Sequence, residues 1–188
     1  MGANTELERR LLRLEHRAEI RNLVGRYCFV IDDRDLEEIA ELFTRDARFH
    51  SRDGVMDARG REAIMQQFHG RFSALGPGFH YNHDHVIWFD DHDDRQAYGL
   101  VSTHAELIRN DRPMWAALRY EDTYRLEDGR WRFADRLLLF FYYLDVEEYA
   151  RHLGSSERNR AYDQPRPADV PESRPTWQAW HARNRPGG

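Results

Sequence analysis

Four runs of aromatic and β-branched residues, at 79–89, 96–109, 114–126 and 130–143, follow one another with almost nothing between them, and no other feature of the chain restricts the fold as much. The gaps are turn chemistry: Asp90 to Asp94, Asn110 to Pro113, then Asp128 with Gly129. Strands joined by loops this short cannot cross over to lie parallel, so the block predicts an antiparallel meander. Ahead of it the period is helical. Thr5 and Glu8 form a capping-box pattern, and Leu7, Leu11, Leu14, Ala18, Leu23, Tyr27 and Ile31 predict one long helix ending near Asp32. Asp35 and Glu38 repeat the cap before Leu36, Ile39, Ala40 and Phe43, predicting a short second helix, followed by an extended piece from Ala47 to Arg52 and a turn at Asp53 and Gly54. Ile64, Met65, Phe68 and Phe72 predict a third helix from Arg61 to Phe72, closed by the breaker Gly76-Pro77-Gly78.

Helices first and long strands after is an α+β order, in which a curved sheet wraps the helices. The last strand is apolar on both sides, Leu137, Leu139 and Phe141 against Leu138, Phe140 and Tyr142. One side is expected on the helices and the other on a partner subunit of a homo-oligomer. The domain is expected to span 1–143, with 144–188 as an extension. Its stretch from Pro165 to Pro175 carries little core, while Trp177 and Trp180 suggest docking on the body or on a neighbouring subunit.

Composition removes several kinds of chemistry. All 28 basic residues are Arg, and without Lys there is no Schiff base, no pyridoxal aldimine and no Walker A loop. The single Cys28 excludes an intramolecular disulfide, a thiolate iron–sulfur cluster and a multi-Cys zinc site, which points to a reducing, cytoplasmic setting. The net charge of −5, with Arg scattered among 33 acidic residues, argues against nucleic acid as a partner. No run approaches the length of a membrane span, and the N-terminus has no signal-peptide core.

Two places could carry acid–base chemistry. Asp32 falls where the first helix runs out, beside Asp33, and both the helix dipole and a like-charged neighbour make it a better base than a surface Asp. The plainer reading is a polar turn in which one Asp supplies a cap. The second place is Phe79-His80-Tyr81-Asn82-His83-Asp84-His85. On a regular strand His80, Asn82 and Asp84 share one side, while His83 and His85 share the other with Phe79, Tyr81 and Ile87. His80 and His83 would therefore point apart, and no later strand supplies the missing ligands of a cupin, so no metal is expected. His80 would open its strand at the mouth of the curved sheet, where an imidazole is a natural base or acid. Tyr27, on the apolar side of the first helix, is either a satisfied core phenol or a donor into a cavity. His104 shares a strand side with Glu106, as Tyr120 does with Asp122 and Tyr124. Arg119 is a substrate clamp or a surface ion pair.

The run from Ala18 to Asp32, the segments Leu36 to Phe43 with Asp46-Ala-Arg-Phe, Arg59-Gly-Arg-Glu-Ala-Ile, Phe79-His-Tyr-Asn, and Arg119 to Phe133 together resemble the SnoaL-like branch of the nuclear transport factor 2 superfamily over about residues 10 to 143. The resemblance implies a cone-shaped α+β barrel with a deep apolar pocket. It also implies a cofactor-free lyase such as a dehydratase or dehydrochlorinase, in which an Asp at the end of the first helix pairs with a His at the start of the long strand. The matching positions are Asp32 and His80, with Tyr27 and His83 matching two further positions of bile-acid dehydratase. The strand tyrosine of the dehydratases falls near Ser51, beside His50, and the strand Asp of the bile-acid enzyme near Ala105. The substrate would be a small hydrophobic molecule, with His50, Asn82, His83, His104, Arg119 and Tyr120 around it. A trimer or dimer is implied as well. The same superfamily implies two alternatives: an isomerase or polyketide cyclase using the same pair, and a non-catalytic small subunit of a ring-hydroxylating dioxygenase.

Overall fold

A computed structural model describes residues 3–184. Helix α1 runs from Ala3 to Asp32, α2 from Leu36 to Glu41 and α3 from Arg61 to Phe72. The strands are β1 (Phe43–Ser51), β2 (Asp57–Arg59), β3 (Leu75–Phe89), β4 (Gln96–Arg109), β5 (Arg112–Glu127) and β6 (Arg130–Asp145). They form one six-stranded sheet in the order β2-β1-β6-β5-β4-β3. The meander β3 to β6 is antiparallel as its tight turns require, and Asp128 and Gly129 take the positive φ angles of a two-residue hairpin. The cone-shaped α+β fold is as expected, with one correction: β1 enters parallel to β6, so the sheet is mixed and not wholly antiparallel; its edges β2 and β3 do not meet, so the cone is open.

The helices lie on the inner face of the curved sheet. Ile20, Leu23, Val24, Tyr27 and Ile31 of α1, with Ile64 and Phe68 of α3, are buried against Phe43, Phe49, Phe133 and Leu138. The first turns of α1 do not join this core: the helix already runs at Ala3, ahead of the suggested Thr5 cap, and Leu7, Leu11 and Leu14 stay exposed. Asp35 caps α2 as expected, its Oδ1 accepting from the Glu38 N–H at 3.0 Å. Phe43 begins β1 instead of ending the helix.

The breaker Gly76-Pro77-Gly78 lies inside β3. Leu75 pairs with Arg109 and Gly78 with Leu107, so one extra residue bulges out here. Proline is tolerated because β3 is an edge strand and needs no N–H at that point. A second bulge falls between Asn82 and His85, which pair with Thr103 and Val101. It reverses the alternation. His85 and Ile87 therefore turn to the inner side, away from His83, Phe79 and Tyr81. A third, between Phe140 and Tyr142, moves Tyr142 to the outer side and Tyr143 inward.

Beyond β6, α4 (Tyr149–His152) and α5 (Pro175–Asn184) flank a segment that packs on the body. Asn159 bridges Tyr143, the Asp169 N–H donates to the Phe140 carbonyl, and Val170 is fully buried. The Pro-rich stretch thus contributes core that its composition did not suggest. Trp177 and Trp180 of α5 remain largely exposed.

Candidate active site

Helix α1 stops at Asp32 because the chain turns there into a left-handed residue, Arg34 at φ 58°. The Asp35 N–H reaches the Val30 carbonyl and the Arg34 N–H the Ile31 carbonyl, the paired bonds of a Schellman stop. Because Asp35 supplies the cap of α2, the Asp32 carboxylate is left free. Both of its oxygens go to one residue. The His80 backbone N–H donates to Oδ2 at 2.9 Å and the His80 Nδ1–H donates to Oδ1 at 2.6 Å. Strand β3 is fastened to α1 on both sides of this pair: the Arg34 guanidinium donates to the carbonyls of Leu75 and Gly76, and the Asn82 amide donates to the Val24 carbonyl at 2.9 Å. The carboxylate fixes which imidazole nitrogen holds the proton, and Nε2 has no hydrogen-bond partner among the described residues.

The pair lines a cavity between α1, α3 and the inner face of the sheet. Its walls are largely apolar: Ile31, Phe68, Phe72, Leu107, Leu118, Leu138 and Phe140. Polar groups enter at few points. Tyr27 and Tyr120 lie edge to face, ring centres 5.9 Å apart, and burial pushes both phenols above their ordinary pKa, so they are held as hydrogen-bond donors. Burial likewise pushes the Cys28 thiol up to about 11.

Behind the tyrosines sits Arg136, fully buried. Its guanidinium lies 4.1, 3.8 and 4.0 Å from the ring centres of Tyr27, Tyr120 and Phe133. Nε and Nη2 make a two-pronged bond to Asp122 at 3.0 and 3.2 Å. Tyr124 donates to the same carboxylate at 2.8 Å, so His85 must donate its Nε2–H to the Tyr124 oxygen at 3.1 Å. Burial works against the charge on Arg136, but Asp122 and the surrounding phenol oxygens outweigh it and hold the group above its ordinary pKa. Burial, with the cations Arg136, Arg21 and Arg17, lowers His85 to about 4. Sequence reasoning placed Tyr120, Asp122 and Tyr124 on one strand side but missed Arg136. The available signal was an Arg directly ahead of the apolar run Leu137 to Phe141, with an Asp on the strand before.

Of the residues singled out from sequence, Asp32, His80, Tyr27 and Tyr120 meet in the cavity, and Asn82 braces its wall. The others point to the outer face of the sheet. His50 donates its Nε2–H to Asp135 at 3.0 Å there, His83 and His104 flank Trp115 and Tyr142, and Arg119 lies over the Phe141 ring. Among the described residues no three His, Cys, Asp or Glu side chains converge as a metal-holding group, and no helix is long and apolar enough to cross a membrane.

An open cone of sheet around a long helix, with a carboxylate–imidazole pair facing an apolar cavity, defines a class of small α+β proteins built around one enclosed site. The chain belongs to the SnoaL-like domain family of the nuclear transport factor 2-like superfamily, whose pattern matches residues 12–137. Solved structures share the fold. Hexachlorocyclohexane dehydrochlorinase LinA-type3 from Novosphingobium barchaimii LL02 is similar at 19% identity and TM-score 0.65, over 72% of this chain and 93% of that one. A candidate scytalone dehydratase from Novosphingobium aromaticivorans is similar at 22% identity and TM-score 0.63, over 74% and 91%. The β subunit of a candidate aromatic-ring-hydroxylating dioxygenase from the same species is similar at 20% identity and TM-score 0.58, over 69% and 91%. By sequence alone no curated protein matches the chain.

Proposed function

We propose that the protein is a cofactor-independent lyase that eliminates water or halide from a small apolar cyclic molecule. The observation that carries this reading is the Asp32–His80 pair, with Nδ1 held at 2.6 Å by the carboxylate and Nε2 on the cavity wall. Nε2 takes a proton from a carbon next to a carbonyl or another electron-withdrawing group. The electron pair of the broken C–H bond becomes the new double bond, and the leaving group departs with its own pair. Asp32 stabilises the imidazolium as it forms, since the positive charge develops against a fixed carboxylate. A departing hydroxyl needs a proton. His50 and His104 lie on the outer face, so the proton comes from a phenol of the cavity or from a water; Tyr27 is the phenol taken as donor, with Arg136 against its ring to offset the charge on the phenolate, and Tyr120 beside it has the same support. Transfer of the proton from His80 back to Tyr27 restores the starting state.

The test is a panel of hydroxylated and halogenated cyclic ketones assayed by mass spectrometry. Loss of one water or hydrogen halide is the expected product change, and an unchanged mass with altered structure would assign the same pair to an isomerase or cyclase instead. Constant co-purification with a larger iron-containing subunit, with no turnover alone, would overturn the lyase reading.

A further inference from the structure

Two guanidinium groups line the cavity without a carboxylate to neutralise them. Arg71, from α3, has the Met56 sulfur, a weak acceptor, as its one side-chain hydrogen-bond partner among the described residues, and its charge acts on Tyr27, Tyr120 and Tyr143, all of which line the same cavity. Arg34, at the rim, lies over the Phe72 ring and uses only Nη2 for its two carbonyl bonds. Neither forms an ion pair with an acid among the described residues. Elsewhere the buried arginines are each matched with an acid: Arg132 with Glu41, Arg136 with Asp122, Arg158 with Glu172. The cavity has one carboxylate, Asp32, and both its oxygens are engaged by His80. An apolar space with a surplus of positive charge, in a protein whose net charge is −5, is complementary to an apolar molecule with an anionic end.

We propose that the substrate is an apolar cyclic acid whose carboxylate is held by Arg71, with Arg34 at the rim, while its ring lies among Phe68, Phe72 and Leu118. This rests on the reading of the cavity as the substrate site and deepens it. The anchored carboxylate would set which ring carbon faces His80 Nε2, so Arg71 decides specificity and does not act on the reacting atoms.

Binding of 2-naphthoate and of its neutral carboxamide, measured by calorimetry at low and moderate salt, tests this. The acid should bind at least about tenfold tighter, and the preference should shrink as salt rises. Arg71→Gln should abolish most of the preference while leaving carboxamide affinity unchanged, and Arg34→Lys, which keeps a donor for the two carbonyls, should weaken it only slightly. His80→Ala should retain the preference. Equal affinity for acid and amide in the native protein, or a preference that survives Arg71→Gln, overturns the proposal. The native comparison needs no variant to fold. If the acid is preferred and His80→Ala still turns over substrate, the assignment of the base fails and the anion site stands; if His80 is essential and no preference exists, the reverse holds.

Discussion

At the scale of single residues, the site depends on a carboxylate that the surrounding turn leaves free. Asp32 is not a cap because Asp35 is, and its two oxygens close on the backbone and the ring of His80. If the two act as one unit, His80→Ala and Asp32→Asn should each lower turnover by about 10² to 10⁴, the usual worth of positioned acid–base catalysis. The double variant should be little worse than either single one. Steady-state kinetics of the three variants checks this, and near-native turnover by Asp32→Asn would leave Asp32 a turn residue. Arg136 and Asp122 offer a prediction about stability. Asp122→Asn strands a buried guanidinium and should cost about 3–5 kcal/mol, whereas Arg136→Met combined with Asp122→Asn should recover part of that loss. Urea unfolding of the single and double variants decides it. His85 adds a pH dependence. Above its ordinary pKa of 6.5 the ring is neutral folded and unfolded; between 6.5 and about 4 only the unfolded chain takes up the proton, so stability falls through that window and this loss is complete below about 4. His85→Gln should flatten the melting temperature between pH 6.5 and 4 relative to the native protein.

At the scale of elements, irregularities in the strands position the chemistry. Without the bulge after Asn82, His85 would face outward and Tyr124 would lose its donor. The contact also needs space on the next strand. A Cβ at Gly99 would sit 2.7 Å from the Tyr124 oxygen, which must then shift, and 3.2 Å from His85 Nε2, which must give by a few tenths of an ångström. Gly99→Ala is therefore expected to destabilise by about 1–3 kcal/mol, as overpacking of a tight interior does, and to remove the His85 contribution to the pH dependence. Equilibrium unfolding at pH 7 and pH 5 reads both effects, and an unchanged pH difference would show that His85 keeps its partner. The same logic explains Pro77 in β3: the breaker marks a bulge on an edge, not the end of an element.

At the scale of the molecule, apolar surface remains where the body does not cover it. Leu7, Leu11 and Leu14 line the free first turns of α1, and Phe79, Tyr81, Val86 and Trp88 stand on the outer side of β3. A homo-oligomer, trimer or dimer, is the expected way to bury them. Light scattering at micromolar concentration should give a multiple of 22.5 kDa, and a monomer mass would reject it. Part of the outer face is already covered from within, because Arg174 of the extension pairs with Glu121 of β5.

The sequence by itself determined the element order, the first three helices and the antiparallel meander, because each rests on local signals: period, caps and turn residues; that Asp32 and His80 belong together came from the family resemblance and not from those signals. Tertiary structure alone decided the rest. β1 joins β6 in parallel across the intervening α3, β2 and meander, a pairing with no signature in the residues between them. Four bulges shift the alternation of β3 and β6, two in each, and a period-two reading assigns the following side chains to the wrong face once one residue is added. His50, His83 and His104 look like site residues in one dimension and stand on the far side of the sheet in three. Arg136 reads as one more charged residue ahead of an apolar run, and only the register that sets it opposite Asp122 makes it the charged centre of the core.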